Sequence, residues 1–465
     1  TVKVTDANNV ELGTGTAGGD GTFTVSITPP QTNGEILGVS ATDNAGNLGP
    51  KAPVDAPDTT APLVPVITHV IDDIANHTGD LTSGNTTNDS KPELQGTAEE
   101  GTTVKIYDNG LLLGSTTAGA GGVWSFLPTT ALSQGSHNLT VTATDAGNNT
   151  SPAASFNVVV DTIAPQAPTI TLVNDDAGTV TGPVLNNGPT NDQTPTISGT
   201  GEPGSILTLL DGTQPLITLT VDSSGTWSYT PALLPVGSHT FTVVAEDAAG
   251  NVTSPSAGFT INVDITPPAT PVINSVQDNI GTVKGELAQD NATDDTRPQV
   301  SGTGDVGSTI TLYDDKTPVG SMTIGPDGKW SITPTQPLSE GQHTLNAIAT
   351  DAAGNASPAA TYNLTVDTTP PNAPLILSVQ GEVANQSAPL VNGGSTQNGT
   401  PTLTGSGEPG ATINIYDNGG ATPIGTVTVP AGGTWTFTPS PALSETSHTL
   451  TAVATDPAGN VGLPS

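Results

Sequence analysis

The sequence predicts an all-β chain made of tandem antiparallel β-sandwiches, and three observations carry that prediction. Four motifs of the form Asp-x-x-(Ala/Pro)-Pro, DTTAP at 58, DTIAP at 161, DITPP at 264 and DTTPP at 367, recur at a step of 103 residues. A fixed internal period marks stacked or strung structural units. Within each unit apolar residues alternate with period two, as in half-buried strands, and not with the 3.6 period of a helix. Gly and Pro number 55 and 41 among 465 residues, which suits many short strands joined by tight turns.

The linker motifs set the domain boundaries. Three repeats are expected to be complete, 58–160, 161–263 and 264–366, and a fourth, 367–465, to lack its final strand. Residues 1–57 match only the later half of a repeat, because TVKVTD at 1–6 aligns with TVKIYD at 103–108. The expectation is a piece of a longer array. In the 58–160 repeat the alternation predicts strand A near 65–71, B near 92–98, C near 103–107 and D near 111–116. Strand E is predicted near 123–128, F near 137–144 and G near 154–160. Strand F places Leu139, Val141 and Ala143 on one face, as Phe241, Val243 and Ala245 are placed one repeat later. Strand E contributes Trp124, Trp227, Trp330 or Trp435, read as core. Seven short strands in about 100 residues suggest immunoglobulin-like sandwiches, here in an extended rod.

A polar loop joins strand F to strand G in every unit: ATDNAGN at 41, ATDAGNN at 143, AEDAAGN at 245, ATDAAGN at 349 and ATDPAGN at 454. Gly46, Asn148, Gly250, Gly354 and Gly459 are expected at positive φ. The Asp of that loop (Asp43, Asp145, Asp247, Asp351, Asp456) has two open readings, an Asx cap of the turn or a cation ligand.

Composition narrows the function. The chain carries 43 Asp plus Glu against 8 Lys plus Arg, a net charge of −35. That argues against nucleic acid, whose affinity depends on neutralised phosphates, and against anionic membrane surfaces. It suits a metal cation. With no cysteine, disulfides and thiolate metal sites are impossible. No apolar run of membrane-spanning length is present, so no direct membrane insertion is expected of this segment.

Further acids recur in register. The linker has Asp58, Asp161, Asp264 and Asp367, and the B–C turn has Glu99, Glu202, Asp305 and Glu408. The long A–B loop opens with Asp72-Asp73, Asp175-Asp176 and Asp278-Asn279. It closes with Asn88-Asp89, Asn191-Asp192 and Asp294-Asp295. The last repeat departs, with Gly381-Glu382 and Gln397-Asn398. The F–G loop, the B–C turn and the start of strand A share one end of a sandwich, and the A–B loop lies at the other. Domains set end to end would face one A–B loop with the next domain's F–G and B–C loops. At the 161 junction, Asp72, Asp73 and Asp89 would meet Glu202, Asp247 and Asn251. Asn355 would serve similarly at 264. Such oxygen-rich sets match calcium, which takes 6 to 8 oxygen ligands, better than magnesium or zinc.

The DTTAP linkers, the GTGEPGS turns, the strand resembling GTWSFTP and the ATDAAGN loop resemble the bacterial Ig-like repeats of giant secreted adhesins of the biofilm-associated-protein type, often exported by type 1 secretion. The resemblance implies a calcium-stiffened stalk at the bacterial surface that projects an adhesive tip. It makes the linker and F–G aspartates the foremost ligands. Partners would be the neighbouring repeats and a host-cell or bacterial surface. Alternatives remain open: repeats that grip host glycans or neighbouring cells, or that self-associate in a surface layer or biofilm matrix.

GTGEPG at 199–204, GTGDVG at 302 and GSGEPG at 405 fit a dinucleotide fingerprint, but a strand and not a helix should follow, so they are read as B–C turns. His137, His239, His343 and His448 each open a strand F and are too dispersed for a metal cluster. No catalytic constellation is present, so no enzyme is expected.

Overall fold

A computed structural model describes residues Thr1–Ser465. Residues 1–172, 197–229 and 240–259 form one compact unit, and 173–196, 230–239 and 260–465 form a second. In the first unit, β1 (Val2–Thr5), β2 (Glu11–Gly15), β3 (Ile36–Ala41) and β4 (Ala52–Asp55) make one sheet in the order β2-β1-β3-β4.

The next repeat shows the full plan. Strands β5 (Val66–Asp72), β6 (Gly79–Asp80), β7 (Thr86–Thr87), β8 (Glu93–Thr97) and β9 (Thr103–Asp108) are followed by β10 (Leu111–Thr117), β11 (Val123–Phe126), β12 (Gly135–Thr144) and β13 (Ala154–Val160). One sheet runs β11-β8-β5-β6 and the other β10-β9-β12-β13-β7. The seven predicted strands A to G are therefore β5, β8, β9, β10, β11, β12 and β13. The predicted D strand pairs with C, Leu111 opposite Asp108, and so extends the sheet that holds F and G. Sequence reading missed β6 and β7, two-residue strands inside the A–B loop. They are too short to show alternation, and β7 joins the sheet by parallel pairing of Thr86 and Thr87 with Val159 and Val160.

The core forms because period-two alternation turns one face of each sheet inward. Val70 and Leu94 from one sheet meet Val104, Ile106, Leu139, Val141, Val158 and Val160 from the other. Trp124 fills the space between them and is buried, as are Trp227, Trp330 and Trp435. Phe23, at the tryptophan register of the first segment, instead lies 47% exposed. Residues 22–27 form no strand that would turn it inward.

In the second unit the 264–366 repeat has the same two sheets, with Gln299–Thr303 between Val272–Asp278 and Lys329–Ile332 in one. In 367–465, Thr412–Asp417 lies between Gly425–Thr428 and Leu450–Thr455 in a three-stranded sheet.

Each tryptophan stands opposite a glycine of strand B: Gly96 and Trp124, Gly199 and Trp227, Gly302 and Trp330, Gly405 and Trp435. The indole lies over the bare backbone. A Cβ on Gly302 would stand 1.9 Å from the Val272 carbonyl and 2.6 Å from Trp330 Cζ2. Gly302→Ala should therefore destabilise its own repeat by about 1–3 kcal/mol through overpacking. The check is denaturant unfolding followed by tryptophan fluorescence, where an early transition should separate from the rest.

Candidate functional site at the domain junctions

The F–G loop is built by its own aspartate. Asp351 Oδ1 accepts the Ala353 and Asn355 amides at 2.9 Å, and its Oδ2 accepts Asn355 Nδ2 at 3.0 Å. Asp43, Asp145, Asp247 and Asp456 receive the matching asparagine in the same way. The asparagine side chain and then its amide hold the Asp43 carboxyl below the ordinary range. Gly46, Asn148, Gly250, Gly354 and Gly459 all take positive φ, from 66° to 105°.

The asparagine has a second acceptor. Asn149, Asn251, Asn355 and Asn460 donate Nδ2 to the main-chain carbonyls of Asp58, Asp161, Asp264 and Asp367, at 3.0, 2.8, 2.8 and 2.7 Å. The same linker residues are held from the preceding repeat. The amides of Asp161, Asp264 and Asp367 donate to the carbonyls of Thr87, Thr190 and Thr293, each at 2.9 Å. Every one of these three linkers is thus clamped on both sides of one peptide-bearing residue. Their carboxylates turn to local work: Asp58, Asp161, Asp264 and Asp367 each cap the amide two residues on.

The B–C acids also work within their own repeat. Glu202 accepts the Gln166 amide at 2.7 Å and Asp305 the Ala269 amide at 2.8 Å, fixing the chain that enters strand A. Glu99 and Glu408 stand in the same turn and are exposed.

The A–B loop is different because its acids are buried. Asp72, Asp175 and Asp278 are 1%, 6% and 6% exposed, and Asp89, Asp192 and Asp295 are 4%, 1% and 5%. Each pair is joined through the clamp threonine. Thr87 Oγ1 donates to Asp72 Oδ2 while accepting the Asp89 amide, and Thr190 and Thr293 repeat the arrangement. In the last repeat Thr396 still accepts the Asn398 amide, but Gly381 stands where the first acid would be, and the hydroxyl turns to the Glu382 carbonyl.

The A–B loop meets the F–G loop of the following repeat. Asn76 Nδ2 donates to the Gly250 carbonyl at 3.1 Å, and His77 lies 3.3 Å from Glu246. The Asn191 amide donates to Ala353 and the Asp294 amide to Ala458, at 3.0 and 3.1 Å. Thr282 Oγ1 donates to Gly459 at 2.7 Å. Here several oxygens stay buried without a partner: Asn88 Oδ1, Asp89 Oδ2, Asn191 Oδ1 and Asp294 Oδ1. Three of the four sit at one register position in successive repeats. Burial pushes the Asp89 carboxyl up, and the charges of Asp73 and Asp72 add to it against the Lys91 amide. Burial also raises Asp294, with Asp278, Asp295 and Asp456 adding repulsion. Asp176 and Asn279 contribute backbone amides to Asp192 and Asp295.

The structure therefore divides the sequence-predicted acids. It brings the A–B acids of one repeat toward the F–G loop of the next, and it commits the F–G and linker carboxylates, with Glu202 and Asp305 of the B–C turns, to amide donors. No cluster of three or more His, Asp or Glu side chains is arranged around a metal-sized position. The clamp threonines and the roles of Asn149 and Asn460 were missed. Their signal was the Thr-(Asn/Asp)-Asp triplet at 87, 190 and 293, which recurs with the linker period.

Removing the asparagine side chain should release the linker alone. Asn251→Ala takes one donor from the Asp161 carbonyl and one from Asp247, a loss of about 0.5–1.5 kcal/mol for each bond. Limited proteolysis read by mass spectrometry should show faster cleavage within 161–168 and unchanged cleavage at the other linkers.

Comparison with known proteins fits this architecture. A family model described as bacterial Ig-like domain matches residues 64–162, 165–265, 269–368 and 376–464, and a second, bacterial Ig domain, matches 1–58. Exoglucanase B of Cellulomonas fimi is 31% identical over 260 residues, covering 53% of this chain and 21% of the enzyme. The chain thus spans about a fifth of that relative's length. Among solved structures, the fibronectin(III)-like modules of Clostridium thermocellum CbhA match at 18% identity and a TM-score of 0.26, covering 39% of this chain and 90% of theirs. The BSP domain of a biofilm associated protein matches at 12% identity and a TM-score of 0.15, covering 85% and 98%. The chain belongs to the bacterial Ig-like domain family.

Proposed function

We propose that this chain is a spacer segment of a secreted bacterial surface protein, an extended stalk whose junctions are stiffened by calcium and which holds an adhesive tip away from the cell. The observation that carries the reading is the linker clamp, because a repeat gripped on both sides of one linker residue transmits orientation to its neighbour. The exoglucanase match supports it in one respect: a stretch of this kind occupies only a fifth of a much larger bacterial protein.

The A–B loop fits calcium by the chemistry of its donors. All are oxygens, as a hard cation requires, and buried acceptors stand without hydrogen-bond donors. Asp89 with Asn88 would hold the ion in one repeat, Asn191 beside Asp192 in the next, and Asp294 in the third. Asp72, Asp175 and Asp278 form the second carboxylates of the same loops. Bound there, calcium would supply the positive charge that these buried carboxylates lack. The F–G aspartates fit less well, since their oxygens already accept amides. The chain's own part is to bury the acids beside the clamp threonine, so that charge in the loop and the hold on the linker share one residue.

Small-angle scattering of the whole chain tests the reading, in excess calcium and then with chelator. A long maximum dimension that shortens on chelation supports it. An unchanged profile removes calcium from the account, and a compact particle in both conditions removes the stalk and favours self-association or ligand gripping.

Calorimetry supplies a second check. Calcium at about a hundred times its dissociation constant should stabilise each occupied repeat by about 2.7 kcal/mol. Asp89→Ala should abolish the gain for 58–160. The 367–465 repeat, with Gly381 and Gln397, should gain least.

A further inference from the structure

A second buried ionisable group recurs away from the junctions. His137, His239 and His343 are 4%, 7% and 6% exposed at the start of strand F. His137 Nδ1 lies 2.8 Å from Asp108 Oδ2, and its Nε2 lies 2.7 Å from the Ser133 carbonyl. His343 Nδ1 stands 3.0 Å from both carboxylate oxygens of Asp314, with Nε2 2.8 Å from the Ser339 carbonyl. His448 repeats the geometry with Asp417 and Ser444, both at 2.8 Å. His239 Nε2 meets the Pro235 carbonyl at 2.9 Å in the same register.

The chemistry of these contacts is restrictive. A carbonyl only accepts, and an ionised carboxylate only accepts. A neutral imidazole has one donor nitrogen and one acceptor nitrogen, so it would turn a lone pair toward one of the two oxygens. Only the imidazolium satisfies both. Charged groups around the ring agree. Asp108, Asp314 or Asp417 faces it from the end of strand C, and Asp108 Oδ1 and Asp417 Oδ1 are buried with no donor of their own. Strand G turns an apolar residue to the ring's position, Val158 opposite His137 and Leu364 opposite His343. The E–F segment adds the carbonyl. Its acids are Glu340, engaged with Thr368 and Thr369, and Glu445.

We propose that His137, His343 and His448 each form a proton-operated lock in their own repeats, in which an imidazolium ties the end of strand C to the E–F segment and loss of its proton loosens the sandwich. The Ser444 carbonyl first, and the Asp417 carboxylate next, hold His448 above the ordinary imidazole value. A histidine raised in the folded state contributes its full stability below the unfolded value of about 6.5, and that stability is lost as pH rises through the folded value. The contribution of His448 to the 367–465 repeat is thus present at mildly acid pH and fades toward alkaline pH, independently of any cation in the A–B loop.

The test is nitrogen NMR of the whole chain labelled at histidine, at about pH 7.5, a unit above the ordinary imidazole value. The same chain unfolded in denaturant serves as the reference. The lock predicts that the strand F rings carry protons on both nitrogens in the folded chain and lose one of them on unfolding. Strand F rings in a single neutral tautomer would overturn it. Asp417→Asn gives an independent reading: it should lower the unfolding midpoint of the 367–465 repeat at about pH 6 and not at about pH 9. An equal loss at both values would mean packing alone and would contradict the lock.

Discussion

The structure depends on one residue per linker, the aspartate whose main chain is hydrogen-bonded forward and backward. Its amide is committed to the threonine of the preceding A–B loop and its carbonyl to the asparagine of the following F–G loop. A backbone group with two fixed partners cannot rotate freely, and both partners sit on loops that are themselves tied down. The F–G loop is internally capped by its aspartate, and the A–B loop is pinned by a parallel strand pairing to strand G. Each of these linkers is therefore held on both sides by short polar contacts.

This arrangement explains an unusual use of acid. Repeats with small cores have few apolar groups to commit to their ends, so the ends are closed by carboxylates that accept backbone amides. Asp351 alone takes three donors. In the A–B loop the acid outnumbers its donors, leaving Asp89 Oδ2 and Asp294 Oδ1 buried and unpaired. An uncompensated buried oxygen costs about 1–3 kcal/mol, more when charged. That local deficit distinguishes the A–B loop from the satisfied aspartates of the F–G loop and is why the proposed calcium is assigned to it.

Most of the fold was legible because its signals are local. Alternation in Leu139, Val141 and Ala143 fixed a strand and its inward face, and the glycine of ATDAAGN announced a left-handed turn. The junction was legible in outline, since sandwich topology alone sends the A–B and F–G loops to opposite ends. What escaped were contacts between residues far apart in sequence. Thr87 holds Asp161 across 74 positions, and Asn251 holds the same residue across 90. Composition could not separate an aspartate that caps a turn from one that lacks a donor, because the difference lies in the count of nearby amides.

Hydrogen exchange at the linker amides tests the central claim most directly. If the clamp holds, the amides of Asp161, Asp264 and Asp367 exchange as slowly as those of the neighbouring strands, despite lying between domains. Exchange at the rate of exposed turn amides would show that the linkers swing freely and that orientation does not pass from one repeat to the next.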